Sequence, residues 1–376
     1  MFFRGGTSKG LFFREGVIPA DPDERDRVLL RALGGGDVYG SEIDGLGGGT
    51  SSTSKAVIVS PSARDGFDVD YLFAQVSVTT ATVDWTGSCG NLAAAVGPFA
   101  IDEGLVAATG DLTRVRIWQQ NTSKEILAHV PTSGGAVLSD GDFNLDGIPY
   151  PAAKIRLDFV DPGGSMTGRL LPSGNVVDEL DVPGSGVVTV TMIDAGNPCV
   201  FVAAAAVGLS GVELPNEVNS DAATLARLES IRASAAVAMG LAPRADVATR
   251  EYPANPKVAV TSPPRSHTVS GGRSVDSSEI DLVVRMLSMG RVHHALPATG
   301  STAAALAALI PGTVPNRVAR APQAGGLVRI GHSSGVIPLE AELVDADGVW
   351  DARRVTVWRS ARRLMEGSVL VPCRSG

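Results

Sequence analysis

Two alanine- and leucine-rich segments constrain the fold most, because neither of them has a polar face. They cover residues 91–104 and 302–309, and apolar side chains lie on every side of both predicted helices. A helix that is apolar all round is stable only when it is buried. The sequence therefore predicts two core helices, each of which needs surrounding structure of its own.

The segments that could surround these helices have the pattern of short strands. Apolar stretches with β-branched residues recur along the chain and end at glycine or proline turns, as strands do. They cover residues 56–59, 71–78, 115–118, 154–159, 187–193, 257–261, 328–330 and 354–358. Further helical patterns cover residues 23–32, 221–240 and 277–289. Since the strands come in groups and do not alternate strictly with helices, we predict an α+β fold.

The two core helices stand in similar contexts, which predicts an internal duplication. Glycine-containing turns at residues 86–90 and 297–301 precede them. We expect two halves, each a curved sheet wrapped around one helix, with both helix N-termini directed at a shared cleft. A turn-rich passage at residues 161–175 divides the chain into halves of residues 1–182 and 183–376. A single continuous domain with two core helices is the alternative.

The composition limits the classes of partner. Of the 376 residues, 44% are hydrophobic, which is enough for substantial cores, and the formal net charge is −8. The chain has no basic block and few aromatic residues, which argues against a nucleic-acid groove. It has no long apolar run that could cross a membrane and no signal-peptide pattern, and its three cysteines are typical of a reducing compartment. We expect a cytoplasmic protein that binds a small molecule rather than nucleic acid or membrane.

Lysine is rare in this chain, and one of the five lysines follows an unusual loop. Residues 47–55 read GGGTSSTSK, so that three glycines and five hydroxyl residues lead to Lys55 at the start of a predicted strand. The order of these residues differs from that of a P-loop. A lysine at the mouth of a core strand can be partly desolvated, which lowers its pKa and makes it a candidate general base. A flexible linker is the alternative interpretation of the loop.

Cys89 precedes the first core helix in the motif GSCGN. The dipole and the unpaired N–H groups of a helix N-terminus favour a thiolate and bind carboxylates. Cys89, Gly90 and Asn91 are therefore candidates for an anion site. Cys199 begins an apolar run and is more typical of a buried core residue, and Cys373 has no informative context.

A second group of glycine, hydroxyl and cationic residues lies at residues 4–10, which read RGGTSKG. A hairpin turn alone would explain it, but two such clusters in one chain favour an anion site. The chain has no C-x-x-C, no H-E-x-x-H and no dinucleotide-binding glycine motif. The adjacent His293 and His294 are expected to diverge in either a helix or a strand. Nothing in the sequence calls for a metal or a cofactor.

Seven motifs of this chain resemble those of the PrpF family, the 2-methylaconitate cis-trans isomerases, whose relatives include 4-oxalomesaconate tautomerase and 3-methylitaconate isomerase. The resemblance covers nearly the whole chain. It implies the fold of diaminopimelate epimerase, with two pseudo-symmetric halves, each a β-barrel-like sheet around a central helix, and the active site in the cleft between them. The motifs are RGGTSKG at 4–10, LGGGTSSTSK at 46–55, GSCGN at 87–91, DPGGSMTG at 161–168, DAGNPC at 194–199, TGST at 299–302 and IPGTV at 310–314.

The resemblance also implies roles for individual residues. Lys55 matches the proton-transferring lysine of the family and Cys89 its active-site cysteine. Asn91 and Asn197 match asparagines that contact substrate carboxylates in the wider superfamily. Pro297 stands where the epimerases have a second cysteine, which argues against a two-thiol racemase. The remaining candidates for substrate binding are Arg4, Thr7, Ser8, Lys9, Ser52, Thr53, Ser54, Gly90, Gly300, Ser301 and Thr302.

The implied reaction is a 1,3-allylic proton shift on an unsaturated di- or tricarboxylate such as 2-methylaconitate. Lys55 would be the base and Cys89 the second acid or base or a carboxylate-side partner, with no cofactor and no metal. The partner is then a small carboxylate, and a homodimer is compatible with this function. The alternatives are oxalomesaconate tautomerase or methylitaconate isomerase activity, an amino-acid racemase, a non-catalytic helper of an aconitase-like iron–sulfur dehydratase, and sequestration of a carboxylate metabolite.

Overall fold

The computed structural model describes residues 1–321 and 324–372, so Cys373 lies outside the described residues. The chain divides into two compact units. The first unit comprises Met1–Leu157 together with the C-terminal segment that begins at Arg359. The second unit comprises Asp158–Trp358.

The described residues form seven α-helices and 21 strands, which confirms the predicted α+β class. The helices are α1 (Pro22–Leu33), α2 (Gly90–Asp102), α3 (Pro215–Asn219), α4 (Ala222–Ala238), α5 (Ala245–Glu251), α6 (Ala298–Leu309) and α7 (Val314–Val318). The strands are β1 (Phe2–Gly5), β2 (Ser8–Arg14), β3 (Lys55–Pro61), β4 (Val69–Val76), β5 (Val83–Asp84), β6 (Leu112–Gln119), β7 (Lys124–Ser133), β8 (Ala136–Val137), β9 (Ile155–Val160), β10 (Asp178–Val182), β11 (Gly186–Ala195), β12 (Asn197–Ala203), β13 (Lys257–Ser262), β14 (His267–Thr268), β15 (Ser274–Val275), β16 (Leu282–Ser288), β17 (Arg291–Val292), β18 (Leu327–His332), β19 (Gly335–Ala346), β20 (Val349–Arg359) and β21 (Ala361–Met365). No helix among the described residues is long and apolar enough to cross a membrane.

A tight hairpin begins the sheet of the first unit. Gly6, whose φ is 51°, lies in the turn that joins β1 to β2. β2 pairs in parallel with β3, β3 antiparallel with β4, β4 in parallel with β6, and β6 antiparallel with β7. The last strand, β21, returns to pair with the free edge of β1. This return explains why the C-terminal segment belongs to the first unit.

The second unit has the same order of pairings. Gly196, whose φ is 73°, lies in the turn of the hairpin β11–β12. β12 pairs in parallel with β13, β13 antiparallel with β16, β16 in parallel with β18, and β18 antiparallel with β19. β10 pairs with the other edge of β11, as β21 does with β1.

The prediction of two core helices is confirmed. In α2, residues 90–101 are all buried, and the helix packs on β1, β2, β3, β6 and β7 of its own unit. In α6, residues 298–308 are all buried, and the helix packs on β11, β12, β18 and β19 of its own unit. The second helix begins four residues earlier than the sequence pattern predicted.

The predicted helix at residues 277–289 is wrong. Apart from one short 3-10 turn at Ser277–Glu279, this segment is the strand β16. It begins with one leucine and two valines, and β13 and β18 pair with its two edges. Pairing on both edges satisfies its backbone and overrides an ambiguous local pattern.

The structure also divides differently from the predicted boundary at residue 182. The turn-rich passage at residues 161–175 is held within the second unit, because Gly164 N donates to the carbonyl oxygen of Asp194 at 2.8 Å. The Asp194 carboxylate also accepts hydrogen bonds from the backbone of Met166 and Thr167, both at 2.7 Å. A turn-rich passage therefore marks changes of chain direction here, while strand pairing defines the units.

Candidate active site

Lys55 is the first residue of β3, and its side chain is only 7% exposed. Its Nζ donates a hydrogen bond to Oε1 of Gln75, the residue directly opposite on β4. The same nitrogen lies 5.2 Å from the centre of the Phe73 ring. Both of these neighbours are uncharged, and contacts of this kind take the place of water around a buried ammonium group.

Cys89 is the N-cap residue of α2 and is 8% exposed. Its Sγ accepts a hydrogen bond from the backbone N–H of Leu92 at 3.4 Å. The sulfur therefore lies at the N-terminus of a buried helix, where the helix dipole stabilises negative charge. This is the position that the sequence predicted for it.

Lys55 and Cys89 lie on the same side of the β3–β4 pair. Because side chains alternate along a strand, Tyr71 of β4 shares the face that Lys55 occupies. The Tyr71 hydroxyl donates to the backbone carbonyl of Cys89 at 3.0 Å. On the neighbouring strand β2, a Cβ added at Gly10 would lie 2.6 Å from the Lys55 carbonyl oxygen and 3.0 Å from Cδ1 of Leu92. Gly10 thus lets the start of β3 and the first turn of α2 come together.

Asn91 forms the centre of a buried polar cluster at the first turn of α2. Its Nδ2 donates to Oγ1 of Thr7 at 3.1 Å and to Oγ of Ser8 at 3.5 Å. Its Oδ1 accepts a hydrogen bond from Nε of Arg359 at 3.2 Å. Gly6 permits this approach, since a Cβ there would lie 2.5 Å from the Asn91 oxygen. Burial lowers the pKa of Arg359 to about 9 and the nearby Cys89 opposes that shift, so the guanidinium stays charged at neutral pH.

Arg4 and Lys9 are predicted site residues whose side chains lie apart from the cluster around Asn91. They form a pair on the face of the β1–β2 hairpin opposite to Ser8. The Arg4 guanidinium donates to the carbonyl oxygen and the hydroxyl of Ser360, and burial lowers its pKa to about 10. Nζ of Lys9 lies 5.5 Å from the centre of the Phe2 ring. These two side chains therefore do not join the cluster around Asn91.

The loop before β3 uses its hydroxyl groups to stabilise itself. Ser52 and Thr53 both share hydrogen bonds with the hydroxyl of Thr50, at 3.2 and 2.9 Å. Ser54 is fully buried and donates to the carboxylate of Glu42, a residue that is only 2% exposed. The loop is therefore an ordered support for Lys55, and the interpretation as a flexible linker is wrong.

The second unit places Asn197 beside the first turn of α6. Nδ2 of Asn197 donates to Oγ1 of Thr299 at 3.1 Å. The hydroxyls of Ser301 and Thr302 both donate back to the carbonyl oxygen of Ala298, at 2.8 and 3.1 Å. These two predicted substrate-binding hydroxyls are thus engaged with the helix backbone.

The first turns of the two core helices have corresponding residues. Cys89 is the N-cap of α2, and Pro297 is the N-cap of α6. Asn91 and Thr299 are each the second residue of their helix, and each forms an amide–hydroxyl hydrogen bond with the hairpin of its own unit. Gly300 packs closely on β16, because a Cβ there would lie 2.1 Å from a methionine sulfur.

Other candidates for chemistry lie in less suitable places. Cys199 is fully buried in β12, and burial raises its pKa to about 12, which supports the interpretation as a core residue. The rings of His293 and His294 are stacked with their centres 4.6 Å apart, so the expectation that they diverge is wrong. They follow the end of β17, where the alternation of a strand does not apply. Within the described ranges, no group of three or more acidic, cysteine or histidine residues could hold a metal ion.

Sequence reasoning missed three polar groups of the first unit. A signal existed for Gln75, which is a polar residue at an inward position of a predicted strand. No local signal identified Glu42 or Arg359, because their burial depends on contacts with distant segments. Arg359 reaches Asn91 across 268 positions of the chain.

Several known proteins are similar to this chain over nearly its whole length. The family model described as PrpF protein matches residues 1–372. A protein of Shewanella oneidensis named 2-methyl-aconitate isomerase is 47% identical, over 99% of this chain and 96% of that protein. The crystal structure of a methylitaconate-delta-isomerase superposes with a TM-score of 0.79 at 42% identity, covering 98% of this chain and 94% of the other.

More distant structures share the fold alone. The crystal structure of a probable proline racemase from Agrobacterium radiobacter matches with a TM-score of 0.57 at 13% identity, over 99% of this chain and 92% of the other. The chain therefore shares its fold with a proline racemase.

Proposed function

The chain belongs to the PrpF family and is an isomerase, and we propose that it moves a double bond within an unsaturated di- or tricarboxylate such as 2-methylaconitate. The observation that carries this proposal is the buried Lys55 on the same side of the β3–β4 pair as the helix-capping Cys89. Beside them, Arg359 supplies a buried positive charge. A base, an acid and a cation in one unit are the groups that a proton shift on a polycarboxylate needs.

The reaction begins with removal of an allylic proton by the neutral amine of Lys55. The electron pair of that C–H bond forms the new double bond, and the electrons of the old double bond move towards the adjacent carboxylate as a dienolate. A proton delivered to the far carbon, by the Cys89 thiol or by the Lys55 ammonium, completes the shift. No oxidation state changes, and rotation about the transient single bond converts cis to trans.

The dienolate and the carboxylates are stabilised by donors of the chain itself. The free N–H groups at the start of α2 carry partial positive charge, and Asn91 lies in the same turn. Arg359 is held against Asn91, and its buried positive charge stabilises a substrate carboxylate. Preorganised donors of this kind stabilise developing negative charge without reorganisation.

The proposal includes a contribution from the second unit. We propose that the units are pseudo-symmetric halves, that the start of α6 faces the same substrate, and that Asn197 contacts one of its carboxylates. The shared order of pairings and the corresponding first turns support this duplication. A structure with bound substrate would test it, because a substrate that contacts only residues of the first unit would contradict it.

Individual substrates differ by one substituent, and a substrate panel separates them. We propose 2-methylaconitate as the first candidate, with oxalomesaconate and 3-methylitaconate as the alternatives. Each compound would be incubated with the enzyme and followed by ultraviolet absorbance and proton NMR, since migration of a double bond changes both. Saturable binding without turnover of any of these compounds would favour sequestration of a carboxylate metabolite. Turnover by the Lys55→Ala variant would exclude Lys55 as the base.

An amino-acid racemase is the second function that the fold allows. Pro297 at the cap of α6 argues against it, because proline cannot act as an acid or base there. Exchange of the α-proton of an amino acid with deuterated water, catalysed by this enzyme, would support the racemase function instead.

A further inference from the structure

Gln75 is buried on the face of β4 that carries the proposed base. Its Oε1 accepts a hydrogen bond from Nζ of Lys55. Its Nε2 donates to three backbone carbonyl oxygens, those of Ser54 at 3.0 Å, Ser51 at 3.2 Å and Val76 at 3.3 Å. The side chain is only 6% exposed, so every polar atom of it is engaged within the protein.

These contacts allow a single orientation of the Gln75 amide. The three carbonyl oxygens around Nε2 can only accept hydrogen bonds, so the NH2 group must face them. The oxygen must then face Lys55. If the amide were rotated by 180°, its oxygen would face the three carbonyl oxygens and its NH2 group would face the ammonium group of Lys55. Both contacts would be repulsive.

We propose that Gln75 is a positioning residue, whose immobilised amide oxygen holds Nζ of Lys55 at one point on the sheet face in both protonation states. This inference rests on the proposed role of Lys55 as the base. A neutral amine that donates one N–H to Gln75 has its lone pair directed away from the Gln75 oxygen, as the removal of a substrate proton requires. An amide oxygen provides this hold without the negative charge of a carboxylate, which would favour the ammonium form and oppose its action as a base.

Hydrogen bonds from the loop before β3 hold Gln75 in this orientation. Ser54 accepts from Gln75 through its carbonyl oxygen, and its hydroxyl donates to the buried carboxylate of Glu42. The backbone N–H of Gly49 donates to the same carboxylate oxygen at 2.7 Å. The glycine- and hydroxyl-rich loop therefore contributes to the position of Lys55 through Gln75.

The test measures the titration of Lys55 directly, without substrate. The chain contains only five lysines, so protein labelled with carbon-13 at the lysine Cε gives few signals, and the Lys55→Arg variant identifies the one that belongs to Lys55. The titratable and charged groups on this side of the first unit include Asp84, which lies directly opposite Gln75 on β5, as well as Tyr71, Cys89 and Arg359. Glu42 lies behind Ser54. All of them stay unchanged in the variants.

Two variants of Gln75 should move this titration in opposite directions. Gln75→Met keeps the length but removes the acceptor of the ammonium, so the pKa of Lys55 should fall by about one unit. Gln75→Glu should raise it by about one unit or more, because the carboxylate stabilises the charged form. In turnover, Gln75→Met should lower kcat at least about tenfold with little change in KM, since the base and not the substrate loses its position.

Gln119→Met is the matched control, because Gln119 is also a buried glutamine of a strand in the first unit, and its amide bonds to Asn121 and Thr122. It should leave the Lys55 titration unchanged. If the Lys55 signal titrates at the same pH in the wild type and in both Gln75 variants, the inference is overturned. Should Gln75→Met fail to fold, Gln75→Glu decides alone. The role of Lys55 as the base is tested separately by the Lys55→Ala variant. If that variant loses turnover while the Gln75 variants leave the Lys55 titration unchanged, only the inference about Gln75 fails.

Discussion

At the scale of single residues, the proposed chemistry depends on polar groups that are almost fully buried. Lys55 is 7% exposed, Cys89 8% and Arg359 2%. Charges in such places are costly unless hydrogen bonds compensate them, and each of these side chains has a hydrogen-bond partner. Ionisable side chains that are buried although burial lowers the stability of the fold are typical of active sites.

Lys55→Ala should abolish turnover, because it removes the proposed base. General acid–base catalysis contributes about 10²–10⁴-fold, so a variant that retains more than about a tenth of wild-type activity would contradict the assignment. Lys55→Arg should be equally inactive, since a guanidinium keeps its proton at the pH of the assay. Circular dichroism and thermal unfolding would verify that both variants remain folded.

Arg359→Met should weaken the binding of substrate carboxylates. A hydrogen bond to a charged group contributes about 1.5–3 kcal/mol, so KM should rise about 10- to 150-fold in steady-state kinetics. Arg362→Met is the matched control, because Arg362 is exposed on β21 only three residues away, and its KM should match the wild type. An unchanged KM in Arg359→Met would mean that Arg359 serves the fold alone.

The two described cysteines should differ in their reactions. Cys89→Ala should lower activity strongly, whereas Cys199→Ala should retain it at a cost of about 1 kcal/mol in stability from the lost packing. Burial raises the pKa of Cys199 to about 12, so very little of its thiol is ionised at pH 8. Mass spectrometry after treatment of the folded protein with iodoacetamide should therefore find Cys199 unmodified, and rapid modification of it would contradict the buried position.

At the scale of elements, a hairpin with a glycine in its turn packs against the first turn of the buried helix in each unit. In the first unit, Gly5, Gly6 and Gly10 all lack the Cβ that would collide with α2 or with β3. The glycines therefore determine how closely the strands approach the helix start. This close approach brings the chemistry of β3 and of α2 into one site.

Gly10→Ala should separate these elements. The new Cβ would lie 2.6 Å from the Lys55 carbonyl oxygen, so the start of β3 must shift, and kcat should fall at least about tenfold. Gly16→Ala is the control, since Gly16 also lies in the first unit but has open space around its Cβ position and a φ of 84°. It should lose about 1 kcal/mol of unfolding free energy with kcat unchanged, as measured by denaturant titration and steady-state kinetics. Equal losses of activity in the two variants would contradict the argument from close approach.

At the scale of the whole molecule, the chain uses one order of strand pairings twice. A hairpin, a parallel pairing, an antiparallel pairing, a parallel pairing and a final antiparallel pairing occur in both units, each around its own apolar helix. The two helix starts are chemically different, because one is capped by a cysteine and the other by a proline. Cys89 can transfer a proton and Pro297 cannot, so this pair of N-cap residues is compatible with a reaction that uses a single thiol.

Isotope exchange tests the reaction of the complete enzyme. Turnover in deuterated water should place deuterium at the new saturated carbon of the product and at the allyl termini of recovered substrate. The three hydrogens of an ammonium group are equivalent, so even one shuttling base mixes the abstracted proton with solvent. Oxygen-18 from water at a carbon of the product, or no deuterium in either compound, would exclude the proton shift.

Features that depend on a local pattern could be predicted from the amino-acid sequence alone. Two helices without a polar face had to be buried, whatever surrounded them, because apolar surface is unstable in water. Lys55, Cys89 and Asn91 could be named as candidates because each lies within a few residues of a glycine turn and an element start. The α+β class followed from the grouping of short apolar segments.

Which polar residues come into contact depends on long-range packing that no local pattern contains. A shift of one residue in register reverses the face of every side chain, so the sequence could not tell that Lys9 points away from Asn91 or that Gln75 lies opposite Lys55. The strand at residues 282–288 depends on partners at both of its edges, which a local pattern does not contain. Arg359 reaches the site because the last strand returns to β1, and such a long-range pairing is stabilised by the whole fold rather than by its own residues.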